Sequence, residues 1–240
     1  MLAAVATDAA PIQFESLDRQ AALVELFTSE GCSSCPPAEA WLSRLKEAPG
    51  LWSDFVPLAF HVDYWDYLGW RDKWASKTFS DRQRAYVQSW RSGGLYTPAF
   101  VLNGKEWLGW KGAPPAPGNK SGVLKATSED GEHWQVTFVP ASPGASPYEA
   151  HAALLACGLL SDVKAGENAG RRLQHDFTVL SLVEQPLVRK REGFQATFIL
   201  AARQKRPEGR LALAVWATHT GQLESQQAVG GWIAEMEKAK

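Results

Sequence analysis

Apolar residues along this chain come in short runs separated by turn-forming clusters, and the first half alternates strand-like with helix-like runs. The segment Ala21-Ala22-Leu23-Val24-Glu25-Leu26-Phe27-Thr28 is nearly continuous in apolar character, the pattern of a strand covered on both faces in a parallel sheet. Gly31, Cys32, Cys35 and Pro36-Pro37 follow, and proline is tolerated in a first helical turn because the missing donor has no partner there. Ala38, Trp41, Leu42 and Leu45 then recur at helical spacing, which predicts an amphipathic helix ending near Pro49-Gly50. A second strand is expected over 55–62, then a polar-aromatic stretch from Asp63 to Asp72. A helix is expected over 78–90, with Phe79, Arg82, Tyr86 and Trp90 on one face and Gly93-Gly94 as its stop. Tyr96-Thr97-Pro98 leads into a strand at 99–102, and Asn103-Gly104 signals a tight hairpin returning through Glu106–Trp110.

The texture changes after the proline-rich tract Lys111–Gly118, which reads as a linker. Short β-rich runs at 134–139, 150–157, 177–183, 194–202 and 211–217 predict an antiparallel sandwich, and Trp232–Lys240 suggests a terminal helix. The expected organisation is an α/β unit over residues 1–115 and a mainly-β, sandwich-like unit over 120–240.

Composition narrows the function classes. With 240 residues, 45% hydrophobic and 21% charged, the chain can bury a core without metal staples. A net charge of −1 gives no basic surface for nucleic acid. No apolar run is long enough to span a bilayer. The opening Met1–Ala6 is too short for a complete secretory signal, and both a mature start with an added Met and a trimmed remnant fit it. The eleven Trp read as packing residues. Three cysteines form no disulfide framework, and a four-ligand zinc site lacks a second Cys/His pair at suitable spacing.

The Cys32-Ser33-Ser34-Cys35 pair, between a strand and a helix, therefore reads first as a thioredoxin-like redox dithiol. A thiolate at a helix N-terminus is stabilised by free backbone N–H groups and the helix dipole. Cys32, nearer the exposed turn, is the expected nucleophile, and Cys35, in the first helical turn, the resolving thiol. A structural disulfide and half of a metal site are the competing readings.

Three segments carry a family resemblance: Glu25-Leu26-Phe27-Thr28-Ser29-Glu30-Gly31-Cys32-Ser33-Ser34-Cys35-Pro36-Pro37, His61–Trp70, and Tyr96-Thr97-Pro98. Together with Gly166–Arg171 and Leu173-Gln174-His175-Asp176, they resemble the bacterial secreted family of unknown function DUF1223, placed in the thioredoxin-like superfamily. The resemblance implies a thioredoxin-like α/β fold for the N-terminal domain and a periplasmic or secreted location, and it supplies no substrate. It also implies that Thr97–Pro98 is a cis bond facing the dithiol, with Pro98 presenting the backbone of an extended substrate. The tract at Lys111–Gly118 departs from the superfamily pattern, in which a final helix covers the sheet.

Asp63 reads equally as a proton acceptor for Cys35 and as a turn cap. Trp65, Tyr96 and Thr97 are the candidate substrate contacts. His61 reads as a packed core residue, with a copper site formed with Cys32 and Cys35 as the rival. Gly166–Gly170 reads as a conformationally demanding turn, against a loop folded back on the dithiol. Cys157 reads as a buried, inert thiol, with a third redox partner as the rival. The expected function is thiol–disulfide exchange on protein thiols in an exported compartment, with an unknown redox partner and no bound cofactor. The alternative is a non-catalytic protein that binds copper or a partner.

Overall fold

In the computed structural model, which describes residues 11–90, 94–142, 144, 147–200 and 209–233, the run after Gln20 forms a strand buried at every position. The first half holds β1 (Ile12–Glu15), β2 (Ala22–Thr28), α1 (Pro36–Arg44), β3 (Phe55–His61), α2 (Lys77–Trp90), β4 (Ala99–Leu102) and β5 (Lys105–Glu106). The second half is all strand: β6 (Gly122–Ser128), β7 (His133–Pro140), β8 (Tyr148–Cys157), β9 (Leu159–Asp162), β10 (Arg172–His175), β11 (Thr178–Lys190), β12 (Gly193–Ile199), β13 (Arg210–His219) and β14 (Ser225–Trp232). No helix among the described residues is long and apolar enough to cross a membrane.

The expected fold class, an α/β thioredoxin-like N-terminal domain beside a sandwich-like one, is overturned. The described residues hold two α-helices against fourteen strands, and twelve strands join one mixed sheet. The cause lies at β3. Its free edge pairs in parallel with β11 through Thr178 and Ala59, and the Ala59 N–H donates to the Phe177 carbonyl at 2.8 Å. An edge that a self-contained α/β unit would cover is instead extended by β11, β8, β13 and β14. The far end of β11 pairs with β12, which leads to β7, β6 and finally β1 from the chain's own start. Residues at both ends of the sequence therefore share one hydrogen-bonded sheet.

Three buried clusters pack this sheet. One sets α2 (Phe79, Tyr86) against β2 and β3 and reaches Trp216 on β13. A second joins β6, β7 and β12 to the alternate face of β8 and β13. The third sets α1, through Trp41 and Leu42, on the opposite face of β2, with Phe100, Cys157 and Phe177. Asn103 and Gly104 both have positive φ (48° and 86°), which suits a tight hairpin, but the returning strand stops at Glu106. Trp107 and Trp110 leave the sheet there to pack on Trp41 and Phe100. The Trp41 indole donates to the Gly112 carbonyl at 3.1 Å, so the start of the proline-rich tract covers α1. The expected helix at the C-terminus is replaced through Trp232 by β14, and residues 234–240 lie outside the described residues, as do Met1–Ala6 and Gly93.

Candidate active site

Strand β2 ends at Thr28 and α1 begins at Pro36, so the intervening turn presents Cys32 and places Cys35 at the helix N-cap. Both cysteines are reduced and buried, Cys32 at 1% exposure and Cys35 at 0%, while Ser33 and Ser34 are exposed. The Cys35 N–H donates to the Cys32 carbonyl at 3.2 Å, which closes the turn. The Ser34 hydroxyl lies 3.2 Å from the Cys32 sulfur, and the Thr97 carbonyl lies 3.7 Å from it. The Thr97–Pro98 bond is cis. The Trp65 indole donates to the Thr97 hydroxyl at 2.8 Å, leaving that hydroxyl's own proton free to point at the sulfur.

These contacts separate the two thiols. A hydrogen bond from Cys35 outweighs burial and, with Ser34 and Thr97, brings Cys32 down to about 6. Burial, reinforced by the same bond to Cys32, pushes Cys35 well above the ordinary thiol range. One sulfur is thus set to be a thiolate near neutral pH while its neighbour keeps its proton. Burial also pushes Cys157 up to about 12, and the Phe177 N–H donates to its sulfur at 3.1 Å.

The structure does not draw every expected residue to the dithiol. Asp63 is turned to Ser80, whose hydroxyl donates to its carboxylate at 2.5 Å, and among the described residues no hydrogen bond joins it to either cysteine. The Tyr96 hydroxyl donates to Glu106 at 2.6 Å, and its carbonyl accepts from Gln83. His61 pairs through Nδ1 with Asp72 at 2.7 Å, and among the described residues no hydrogen bond links it to a sulfur.

The segment Gly166–Arg171 folds back onto the turn. The Glu167 carboxylate accepts from the Ser33 N–H at 2.9 Å and from its hydroxyl at 2.7 Å. The buried Asn168 amide donates at 2.9 Å to the carbonyls of both Glu30 and Cys32, and Arg171 donates to the Asn168 oxygen at 2.7 Å. Gly166 meets Gly31, where an added Cβ would stand 2.9 Å from the Trp65 Cβ, so only glycine lets the chain pass.

Behind the dithiol lies a buried charged cluster that the apolar pattern concealed. His175 sits between two carboxylates, with Nδ1 at 2.7 Å from Glu39 and Nε2 at 3.1 Å from Glu30. Burial opposes a charged imidazole, yet the two carboxylates bring His175 up to about 10. Burial likewise works against the Glu39 carboxylate, but the His175 hydrogen bond and charge hold it below the usual range. The Thr28 hydroxyl donates to Glu39 at 2.5 Å and the Trp70 indole to Glu30 at 2.6 Å. The rings of His61 and His175 meet edge to face at 4.9 Å. Glu39 falls four residues after Cys35 on α1, one turn along the same face, and its N–H donates to the Cys35 carbonyl.

The family model described as protein of unknown function (DUF1223) matches residues 23–217. The chain belongs to the DUF1223 family. The match spans both the Cys32/Cys35 turn and the segment that clamps it. No curated protein matches the chain. Among solved structures, this DUF1223 chain is similar to a structural-genomics protein from Agrobacterium tumefaciens, with 23% identity, a TM-score of 0.62, and coverage of 91% of this chain and 96% of that one. It is also similar to HBP35 of Porphyromonas gingivalis, with 14% identity, a TM-score of 0.61, and coverage of 94% of this chain and 79% of that one. At these identities the likeness is one of fold.

Proposed function

We propose that this chain is a thiol–disulfide oxidoreductase acting on protein thiols in an exported compartment, working through Cys32 and Cys35. The observation that carries the reading is the free Cys32/Cys35 pair at the turn into α1, with the Ser34 hydroxyl 3.2 Å and the Thr97 carbonyl 3.7 Å from the Cys32 sulfur beside the cis Thr97–Pro98 bond. These surroundings favour a Cys32 thiolate, while burial keeps Cys35 protonated. In the reductive direction the Cys32 thiolate attacks one sulfur of a substrate disulfide. A mixed disulfide forms, and the other substrate sulfur leaves as a thiolate. Cys35 then gives its proton to the departed substrate thiolate and attacks the Cys32 sulfur, releasing the second substrate thiolate and leaving a Cys32–Cys35 disulfide. An external dithiol, the redox partner, restores the reduced pair. The oxidative direction runs the same steps backwards.

Thr97 borders the reacting sulfur and Trp65 holds the Thr97 hydroxyl, and these two are the candidates for substrate contact. Because Cys32 is covered in the reduced chain, a substrate sulfur reaches it by displacing part of the exposed Ser33-Ser34 turn or the Glu167 clamp over it.

The test is the reduction potential of the pair, read by alkylation and mass spectrometry across glutathione buffers, with Cys157 as internal control. A reversible transition between about −120 and −270 mV supports exchange chemistry and indicates its direction. A disulfide resisting reduction to below about −300 mV is a structural staple and overturns the reading.

A further inference from the structure

We propose that Glu39, His61 and His175 form a binding site for one divalent transition-metal ion of the zinc class, with Asp72 and Glu30 orienting the two imidazoles. The three side chains are buried, and their ligand atoms lie within 4.8 Å of one another. Metal–ligand bonds of about 2.0–2.2 Å place donors of a four-coordinate ion about 3.4 Å apart, so an ion fits among the three once His175 Nδ1 and Glu39, hydrogen-bonded at 2.7 Å, part by about 0.7 Å.

His61 points to a ligand that hydrogen bonding within the chain does not replace. Its Nδ1 lies 2.7 Å from Asp72, whereas its buried Nε2 has no partner among the described residues. An imidazole that donates from Nδ1 to a carboxylate keeps a lone pair on Nε2, the arrangement found when a histidine binds metal. Asp72 is itself fixed, since it accepts from the Glu30 N–H at 2.9 Å and from the Trp74 N–H at 3.0 Å.

His175 has both nitrogens on carboxylates and becomes a ligand by giving up one proton. Replacing the proton between its Nδ1 and Glu39 with a cation releases that proton to solvent and leaves Nε2 donating to Glu30. Glu39 and Glu30 are each held on their second oxygen, by Thr28 and Trp70. Two nitrogens and one carboxylate oxygen make a borderline donor set. It suits zinc and its neighbours, and the absence of thiolate among the ligands argues against a soft cuprous ion. The site rests on none of the thiol-exchange reading, because neither cysteine belongs to it.

The experiment uses the full chain carrying Cys32→Ser and Cys35→Ser, so that no active-site thiol can hold metal. Zn²⁺ is titrated in competition with a chromophoric chelator, and Co²⁺ is added in parallel as a spectroscopic probe. One equivalent should bind per chain, with visible Co²⁺ ligand-field bands and no thiolate charge transfer. His61→Asn keeps a donor towards Asp72 and removes the Nε2 ligand, and it should weaken Zn²⁺ binding at least about a hundredfold. Asp72→Asn, which disturbs only orientation, should weaken it about 10- to 100-fold. Failure of the thiol-free chain to take up either ion overturns the site, as does an affinity unchanged in His61→Asn. Should that variant not fold, Glu39→Gln, which keeps an acceptor for Thr28, decides in the same way.

Discussion

Replacing Cys35 by alanine should slow the reaction of Cys32 with alkylating agents at neutral pH and move its pH dependence upwards. The Cys35 hydrogen bond is the largest influence holding Cys32 down to about 6, and burial works against it. At pH 7 a thiol at about 6 is about 90% thiolate and one at about 9 is about 1%, a ratio of about 90. Nucleophilicity falls with basicity at a Brønsted slope of about 0.4–0.5, so three units cost about 15- to 30-fold and leave a net gain of about 3- to 6-fold. The sharper readout is therefore the position of the inflection. Carboxamidomethylation of the Cys32 peptide, followed by mass spectrometry from about pH 4 to 10, should rise through a midpoint near 6 in the native chain. In Cys35→Ala only Ser34 and Thr97 oppose burial, and the midpoint should climb by at least about one unit. A native midpoint at or above about 8.5, or one unmoved in Cys35→Ala, refutes the reasoning.

Three further outcomes follow from the contacts around the turn. Glu167→Ala removes the acceptor for both the Ser33 N–H and its hydroxyl, so Cys32 alkylation should accelerate several-fold in the same assay, and an unchanged rate means that the clamp does not govern access. Asn168→Ala strands the buried carbonyls of Glu30 and Cys32, which should cost about 2–4 kcal/mol. In a chain of this size that is a Tm lowered by about 5–15 °C in calorimetry, and an unchanged Tm counts against the clamp as a structural element. Arg82 donates to the buried Glu25 at 2.7 Å, and Tyr86 donates to the other carboxylate oxygen at 2.5 Å. Arg82→Met should therefore cost about 3–5 kcal/mol by denaturant unfolding, because it leaves a buried charge unpaired. Adding Glu25→Gln, which still accepts from Tyr86, should recover much of that loss, and no recovery would refute charge burial as its cause.

The periodic parts of this chain were readable because each follows from local physics. Continuous apolar runs became β2 and β3, helical spacing became α1 and α2, and Asn103-Gly104 became a tight turn. What could not be read is pairing between distant segments. Nothing local to β3 states that its outer edge takes up β11, more than a hundred residues later, and that junction overturned the α/β domain. Strand β14 was missed for a related reason. Its Ser225-Gln226-Gln227 start is polar because Gln227 uses its side chain to satisfy buried backbone groups, donating to the Leu17, Arg19 and Gly122 carbonyls. The strand β9, with alternating burial, and its partner β10 are too short to stand out from turn composition.

The dithiol itself was legible, but the buried charged residues behind it were hidden in a systematic way. A cysteine pair announces itself by chemistry and spacing. Glu30, Glu39 and His175 announce nothing, since one carboxylate in a turn, one on a helix and one histidine in a strand are each ordinary surface residues until the fold buries them together. Their proximity depends on β10, which closes with β9 in a small hairpin and brings His175 to α1. Apart from the family resemblance of the segments holding Glu30 and His175, the hint was the composition of Gly166–Arg171, where two glycines frame Glu167 and Asn168. A turn is the economical reading of such a segment, yet it leaves both polar side chains without a purpose. In the folded chain Glu167 grips the outer face of the Cys32 turn and Asn168 its buried carbonyls. Residues contributed by the all-β half thus set the conformation of the thiol turn. A chain truncated after the linker would keep both cysteines and lose the clamp, His175 and the partner of β3, so the dithiol's properties belong to the whole sheet.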